Sequence, residues 1–215
     1  MSARIASIRI GRIAPLGPER VPSGFIKSAV DEPIMTGALG LDGDSQADLS
    51  VHGGPEKAVY AYASARYPDW GAAFPHLAPR FVAGAMGENL TVDGMIEDDL
   101  CVGDVHAIGG ALLQVCQPRQ PCFKLALALG EPRLGKHMVR TGHSGWYYRV
   151  LREGSIAPGD RVVLAERPNP DFPFPRLVTI VNRGGATLSE LRDLAAMPGL
   201  ASNIGRHARA ALDVA

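Results

Sequence analysis

Net charge is the first thing this sequence lacks. Lys plus Arg and Asp plus Glu stand at 22 each in 215 residues. No overall field therefore recruits nucleic acid or an anionic membrane, although a local basic pocket is compatible with that balance. Cysteine is scarce: Cys101, Cys116 and Cys122 are the only three, and they form neither a C-x-x-C pair nor the even set of a secreted framework. Long apolar runs are missing too, since stretches such as Leu125–Leu129 fall far short of a bilayer span. Residues 1–20 alternate apolar positions with Arg4, Arg9 and Arg12 instead of building the apolar centre of an export signal. These absences predict a cytoplasmic chain with reduced thiols, no membrane and no nucleic-acid partner. Internal repeats and low-complexity tracts are absent as well.

What is present is an ordinary globular composition, 46% hydrophobic and 20% charged, cut into short pieces by 25 glycines and 17 prolines. Ala6, Ile8 and Ile10 alternate with Ser7 and Arg9 as in a half-buried strand. Leu90–Val92, Trp146–Leu151 and Arg161–Ala165 are further strand candidates. Asp104–Ile108 and Ala111–Cys116 flank Gly109-Gly110, a two-residue hairpin loop. Gly103-Asp104 and Gly159-Asp160 act as strand-entry turns, which suits a small antiparallel barrel or a strongly bent sheet. Pro55 reads as a first helical residue, with Glu56–Arg66 following as a helix, and Phe123–Leu129 as a short helix stopped by Gly130.

Beyond Arg167 the pattern changes. Pro168, Pro170, Pro173 and Pro175 exclude a helix interior or a central strand. Leu177–Val181 can open a helix, Thr187-Leu188-Ser189-Glu190 is a capping box, and Ser202 is placed to cap a last helix. In that last helix Ile204, Ala208, Ala211 and Leu212 face inward and Arg206 and Arg209 outward. The predicted fold is mixed α+β, mainly β, with short peripheral helices and a small C-terminal helical domain. Its divisions are a domain over 1–167, a Pro-rich linker over 168–175 and a three-helix domain over 176–215.

Four segments carry chemistry. Cys122 follows Pro121 at the mouth of the Phe123–Leu129 helix, with Arg119 and Lys124 nearby. A helix end and two cations favour the thiolate, which attacks electrophiles and binds soft metals. A small buried hydrophobe is the alternative, and it is the preferred reading for Cys101 and Cys116. Val51-His52-Gly53-Gly54-Pro55-Glu56-Lys57 offers backbone N–H groups, a point charge at Lys57 and a proton-transfer group at His52, or else an ordinary turn. In Gly84-Ala85-Met86-Gly87-Glu88-Asn89-Leu90, glycines such as Gly87 permit close backbone approach and Asn89 brings a donor and an acceptor, against a plain strand-entry loop. Thr141-Gly142-His143-Ser144-Gly145 leads into an aromatic strand reaching Arg149, either a phosphate grip or an edge charge. His143 reads as a loop residue, without a second ligand at metal spacing. One pocket assembled from these segments would hold an anionic, phosphate-bearing molecule beside Cys122.

Taken in order, Gly40-Leu41-Asp42-Gly43-Asp44-Ser45-Gln46-Ala47-Asp48, His52-Gly53-Gly54, Gly87-Glu88-Asn89-Leu90, Gly103-Asp104 and Gln117-Pro118-Arg119-Gln120-Pro121-Cys122 with Lys124 resemble the MOSC domain family. The likeness is strongest to its YiiM-type branch, which ends in a small three-helix domain, and it covers nearly the whole chain. The resemblance implies a MOSC-type β-barrel that binds molybdenum cofactor (Mo-molybdopterin), with Cys122 as metal ligand. It implies catalytic roles for Cys122 and His52, and cofactor contacts from Lys57, Gly87, Glu88, Asn89, Arg119, Lys124 and Arg149. It further implies reduction of small N-hydroxylated substrates such as 6-hydroxylaminopurine, a detoxifying reaction, with electrons from a separate flavoprotein reductase. The chain's lack of a dinucleotide fingerprint and of an iron–sulfur cysteine set agrees with an external donor. Cys116 departs from the serine often found at its place in similar proteins, and adds a second sulfur near the site. Two other readings stay open from sequence: a carrier moving sulfur or cofactor on Cys122 without turnover, and a phosphate-binding module. A homodimer also stays open.

Overall fold

The computed structural model describes residues 2–49 and 52–214; Val51, which opens the His-Gly-Gly run, lies outside them. Six short strands come first: β1 (Arg4–Ile10), β2 (Ala14–Leu16), β3 (Val21–Ser23), β4 (Ser28–Val30), β5 (Ile34–Gly37) and β6 (Gly40–Leu41). They are followed by β7 (Val59–Ala63), helix α1 (Tyr67–Ala73), β8 (Leu90–Asp93), β9 (Val105–Ile108) and β10 (Ala111–Pro118). Next come α2 (Phe123–Leu129), α3 (Leu134–Thr141), β11 (Trp146–Arg152), β12 (Gly154–Ile156) and β13 (Val163–Glu166). Helices α4 (Phe174–Arg183), α5 (Leu188–Ala196) and α6 (Ser202–Leu212) complete the order.

Eight strands form one sheet in the order β13-β9-β10-β11-β7-β8-β1-β4. Every pair is antiparallel except β7 with β8. The predicted hairpin is present, with Ala111 opposite Ile108 across Gly109-Gly110. The expected closed barrel is not found among the described residues. The sheet comes near to closing, because Ile5 N–H donates to Asp160 O at 2.8 Å and Val162 N–H to Ala3 O at 2.9 Å. A turn interrupts the seam there: Asp160 Oδ2 accepts from Ala157 N–H at 2.8 Å, and Asp160 N–H returns to Ala157 O at 3.2 Å. Donors used inside a turn cannot extend a ladder. The result is a strongly bent open sheet.

The helix predicted over Glu56–Arg66 is also not found. Pro55–Lys57 makes one 3-10 turn, and the chain then enters β7, whose five residues are all buried. A strand covered on both faces reads as a continuous apolar run, and its lack of alternation hides it from a periodicity test. β-branched Val59 and aromatic Tyr60 and Tyr62 were the available strand signal.

The Pro-rich stretch packs closely on the sheet side. Phe174 N–H donates to Leu100 O at 2.9 Å, and Asn169 Nδ2 donates to Val102 O at 2.7 Å. Phe172, Phe174, Leu177, Leu194 and Ala208 share one apolar cluster with Ile5, Ile8, Val59, Val92 and Leu113 of the sheet. Thr187 caps α5 with Glu190 in the predicted box. Ser202 does not cap α6; the capping position is Ala201, with no side-chain bond, because Ser202 Oγ donates to Glu56 Oε2 at 3.0 Å instead.

Within β9, His106 is buried with its Nδ1 2.6 Å from Tyr148 Oη of β11. Burial pushes its pKa down from 6.5 to about 4, with Arg167 assisting and Asp104 opposing. The unfolded chain takes up this proton near pH 6.5 and the folded chain only near pH 4, so this contribution to stability is intact above that window and lost as pH falls through it. The unfolding free energy should fall by about 3 kcal/mol across those pH units from this group alone. Urea melts at pH 7, 5.5 and 4 check it, and His106→Gln should flatten that part of the slope.

Candidate functional site

Pro118 ends β10 and Pro121 keeps the following loop from re-entering helix or sheet, so the chain delivers Cys122 in extended conformation at φ −118° and ψ 141° immediately before α2. The sulfur opens on a cavity of about 600 Å³ whose lining includes His52, Gly53, Lys57, Gly87, Asn89, Arg119 and Lys124. His52 Nε2 lies 3.7 Å from Cys122 Sγ. Burial lowers the His52 pKa, and the cations Lys124, Lys57 and Arg119 lower it further, with only Asp48 opposing among the main influences. The imidazole therefore rests neutral at pH 7, in the field of the three cations.

Arg119 is buried in the cavity wall. Its guanidinium donates to Met86 O and lies 5.4 Å from the Phe25 ring centroid and 4.7 Å from that of Tyr60. Two aromatic faces hold the charge where water is largely excluded. Gly87, at φ 72°, makes this sandwich possible, since a Cβ there would stand 2.9 Å from the Phe25 ring. Gly53 has the same left-handed backbone at φ 77°, and a Cβ would meet Gln46 Oε1 at 2.9 Å. Both glycines are the only residues that fit their positions without strain. The helix expected after Gly54 is a single 3-10 turn, so positive charge on this side comes from Lys57 rather than from a helix end.

Glu88 and Arg149 are not among the lining side chains. Glu88 is fully buried and ties down the loop that carries Gly87, accepting from Met86 N–H and Thr91 Oγ1 at 3.0 Å each and from Tyr67 Oη. Arg149 donates to Gln114 Oε1 at 2.8 Å and Glu56 Oε1 at 2.7 Å. Asn89 does line the cavity, but its amide is fully used: Oδ1 accepts from Tyr60 N–H at 3.1 Å, and Nδ2 donates to Asp44 Oδ2 at 2.9 Å.

Several lining groups escaped the sequence reading. Lys27 and Asp44 form an ion pair with side chains 6% and 1% exposed. Asp44 also accepts from Gly11 N–H at 2.7 Å and Gln46 Nε2 at 3.0 Å, which offsets the cost of burying the pair. Burial lowers the Lys27 pKa, with Asp44 as the main opposing influence. Phe25, Tyr60 and Tyr147 supply aromatic wall, and Asn203 reaches the cavity from α6. Asp44 was in view as part of a glycine-rich motif, and Ser23-Gly24-Phe25 offered a weak turn signal for its partner's segment. Nothing local marks Asn203.

Cys101 and Cys116 are buried and free. Cys116 Sγ donates to Glu56 O at 3.0 Å, and burial pushes its pKa up to about 12. It stays a protonated thiol. No helix among the described residues is long and apolar enough to cross a membrane.

A family model for the MOSC domain matches residues 48–163. A Gibberella moniliformis protein named "Reductase" is 38% identical over 197 residues, covering 90% of this chain, which spans only 35% of that relative's length. Protein YiiM of Escherichia coli is 41% identical over 150 residues, covering 70% of this chain and 67% of its own. Among solved structures, YiiM from Geobacillus stearothermophilus has a TM-score of 0.81 at 34% identity, covering 98% of this chain and 99% of its own.

Proposed function

The chain belongs to the MOSC domain family, and from that premise we propose that it is a molybdenum-cofactor-dependent reductase of N-hydroxylated compounds such as 6-hydroxylaminopurine. The observation that carries this reading is the cavity itself: one half-buried sulfur, a neutral imidazole 3.7 Å away, and several cations around a single space. The relative named "Reductase" supports redox chemistry. In this proposal residues 1–167 form the cofactor-binding domain, 168–175 the linker and 176–215 the helical domain, in a cytoplasmic protein.

The residues fit the group. A volume of about 600 Å³ lies in the range of small-molecule sites. Among the described residues no cluster of three or more His, Cys, Asp or Glu side chains could hold a metal ion. A metal on Cys122 must then arrive with most of its own donors, and soft sulfur donors suit such a centre. Cys122 would ligate the metal, Arg119, Lys124 and Lys57 would hold the phosphate, and Gly87 and Asn89 would shape the wall. Glu88 and Arg149 support those loops from behind. When bound, the cofactor supplies the two-electron chemistry.

The net reaction breaks the N–O bond, R–NH–OH + 2 e⁻ + 2 H⁺ giving R–NH₂ + H₂O, with a separate flavoprotein reductase giving the electrons. The protein's own part is positioning and protons. Phe25, Tyr60 and Tyr147 supply aromatic wall that limits water in the cavity. His52 carries a proton on Nε2 toward the leaving hydroxyl, and its lowered pKa makes the imidazolium a stronger acid than free histidine.

Protein co-expressed with cofactor biosynthesis should contain close to one molybdenum per chain and should oxidise a flavoprotein reductase when 6-hydroxylaminopurine is added. Loaded protein that never draws electrons would overturn the reductase reading in favour of a carrier.

A further inference from the structure

The C-terminal helical segment brings a polar side chain into the cavity. Asn203, in the first turn of α6, lines the same space as Cys122 and His52. Its Oδ1 is buried and has no hydrogen-bond partner among the described residues. Rotation of the amide would turn this oxygen from its buried position to the cavity, where it gains the bond it lacks without giving one up.

The placement of Asn203 is fixed by its neighbours. Glu56, one residue before the cavity-lining Lys57, accepts from Ser202 N–H at 2.9 Å and from Ser202 Oγ at 3.0 Å. Arg149 donates to Glu56 Oε1 at 2.7 Å and reaches Leu200 O at 3.4 Å. Ala201 N–H donates to Cys116 O at 2.9 Å, two residues past the middle of β10 and six before Cys122. One carboxylate, one guanidinium and one backbone bond thus pin the start of α6 beside the site.

We propose that Asn203 is a specificity-determining residue whose amide oxygen accepts a hydrogen bond from the N–H or O–H of the substrate, making α6 an integral wall of the cavity. The inference rests on the reading of the site as a pocket for N-hydroxylated compounds. A buried acceptor with no partner of its own favours a ligand that brings a donor and discriminates against one that cannot.

The experiment is calorimetric binding to cofactor-loaded protein without an electron donor, so that no turnover occurs. The paired probes are N-phenylhydroxylamine, which carries N–H and O–H, and N,N-dimethylaniline N-oxide, which carries neither. Asn203→Ala should weaken the first about tenfold and leave the second within about twofold of wild type. Asn203→Asp, which keeps an acceptor oxygen, should retain most of the preference for the donor-bearing probe. Equal weakening for both probes in Asn203→Ala, or no weakening of either, overturns the inference while wild-type binding upholds the site. Wild-type protein that binds neither probe overturns the proposed function and the inference with it.

Discussion

Cys122→Ala is expected to leave a folded protein that holds almost no molybdenum and has no reductase activity. The sulfur is half-buried before α2, and its contact is His52 at 3.7 Å. Its removal opens no cavity in the core, and the stability change should stay within about 1 kcal/mol. Metal retention is another matter. Loss of a group that only supports a metal ligand costs roughly 10- to 100-fold in affinity, and Cys122 would be the ligand itself. Metal content should drop by at least that factor, read by elemental analysis of both proteins after co-expression with cofactor biosynthesis. Cys122→Ser should fare little better, because a hydroxyl is a poor substitute for soft sulfur. Equal molybdenum in wild type and Cys122→Ala would remove this residue from the metal site.

His52→Gln should do the opposite, keeping metal and losing rate. General acid catalysis by a placed side chain is worth about 10²- to 10⁴-fold, so kcat/KM should fall by about a hundredfold with molybdenum unchanged. The direction of the pH effect follows from the lowered pKa, which burial sets first and Lys124, Lys57 and Arg119 extend. On the proposed mechanism the active form is the protonated one. Activity should rise as pH is lowered through neutrality and level off only below the ordinary histidine value of 6.5. The variant should lose that limb. A variant with the wild-type profile would assign the proton to another group.

Much of the site was legible because loop chemistry is written locally. Gly53, Gly87 and the Pro118 to Pro121 break are needed by backbone geometry at their own positions, and Cys122, His52, Arg119 and Lys124 ride on them into one cavity. The Lys27–Asp44 pair was not legible, since its partners sit 17 residues apart on segments with no shared pattern. Arg149 carried an equally good phosphate signature, yet its guanidinium is taken by Glu56 and Gln114. A sequence shows that a charge is available, not which partner reaches it first. The fold divides in the same way. The Gly109-Gly110 hairpin and the Thr187 cap follow from short-range rules. The β7 strand and the open seam at Asp160 are decided by what covers them.

The tie between Glu56 and Ser202 spans 146 residues, and it sets an order of events during synthesis. At about 5–20 residues per second, roughly 7–30 s separate the appearance of its two ends. The thiol-bearing loop itself emerges 80 residues before Ser202, so for roughly 4–16 s of that interval it exists without the wall that α6 provides. Long-range contacts of this kind form late. A cofactor-delivery step acting on the growing chain would meet half a binding site, whereas one acting on the finished chain meets a whole one. On the proposed reading, the span of one carboxylate's hydrogen bonds would favour cofactor capture after translation.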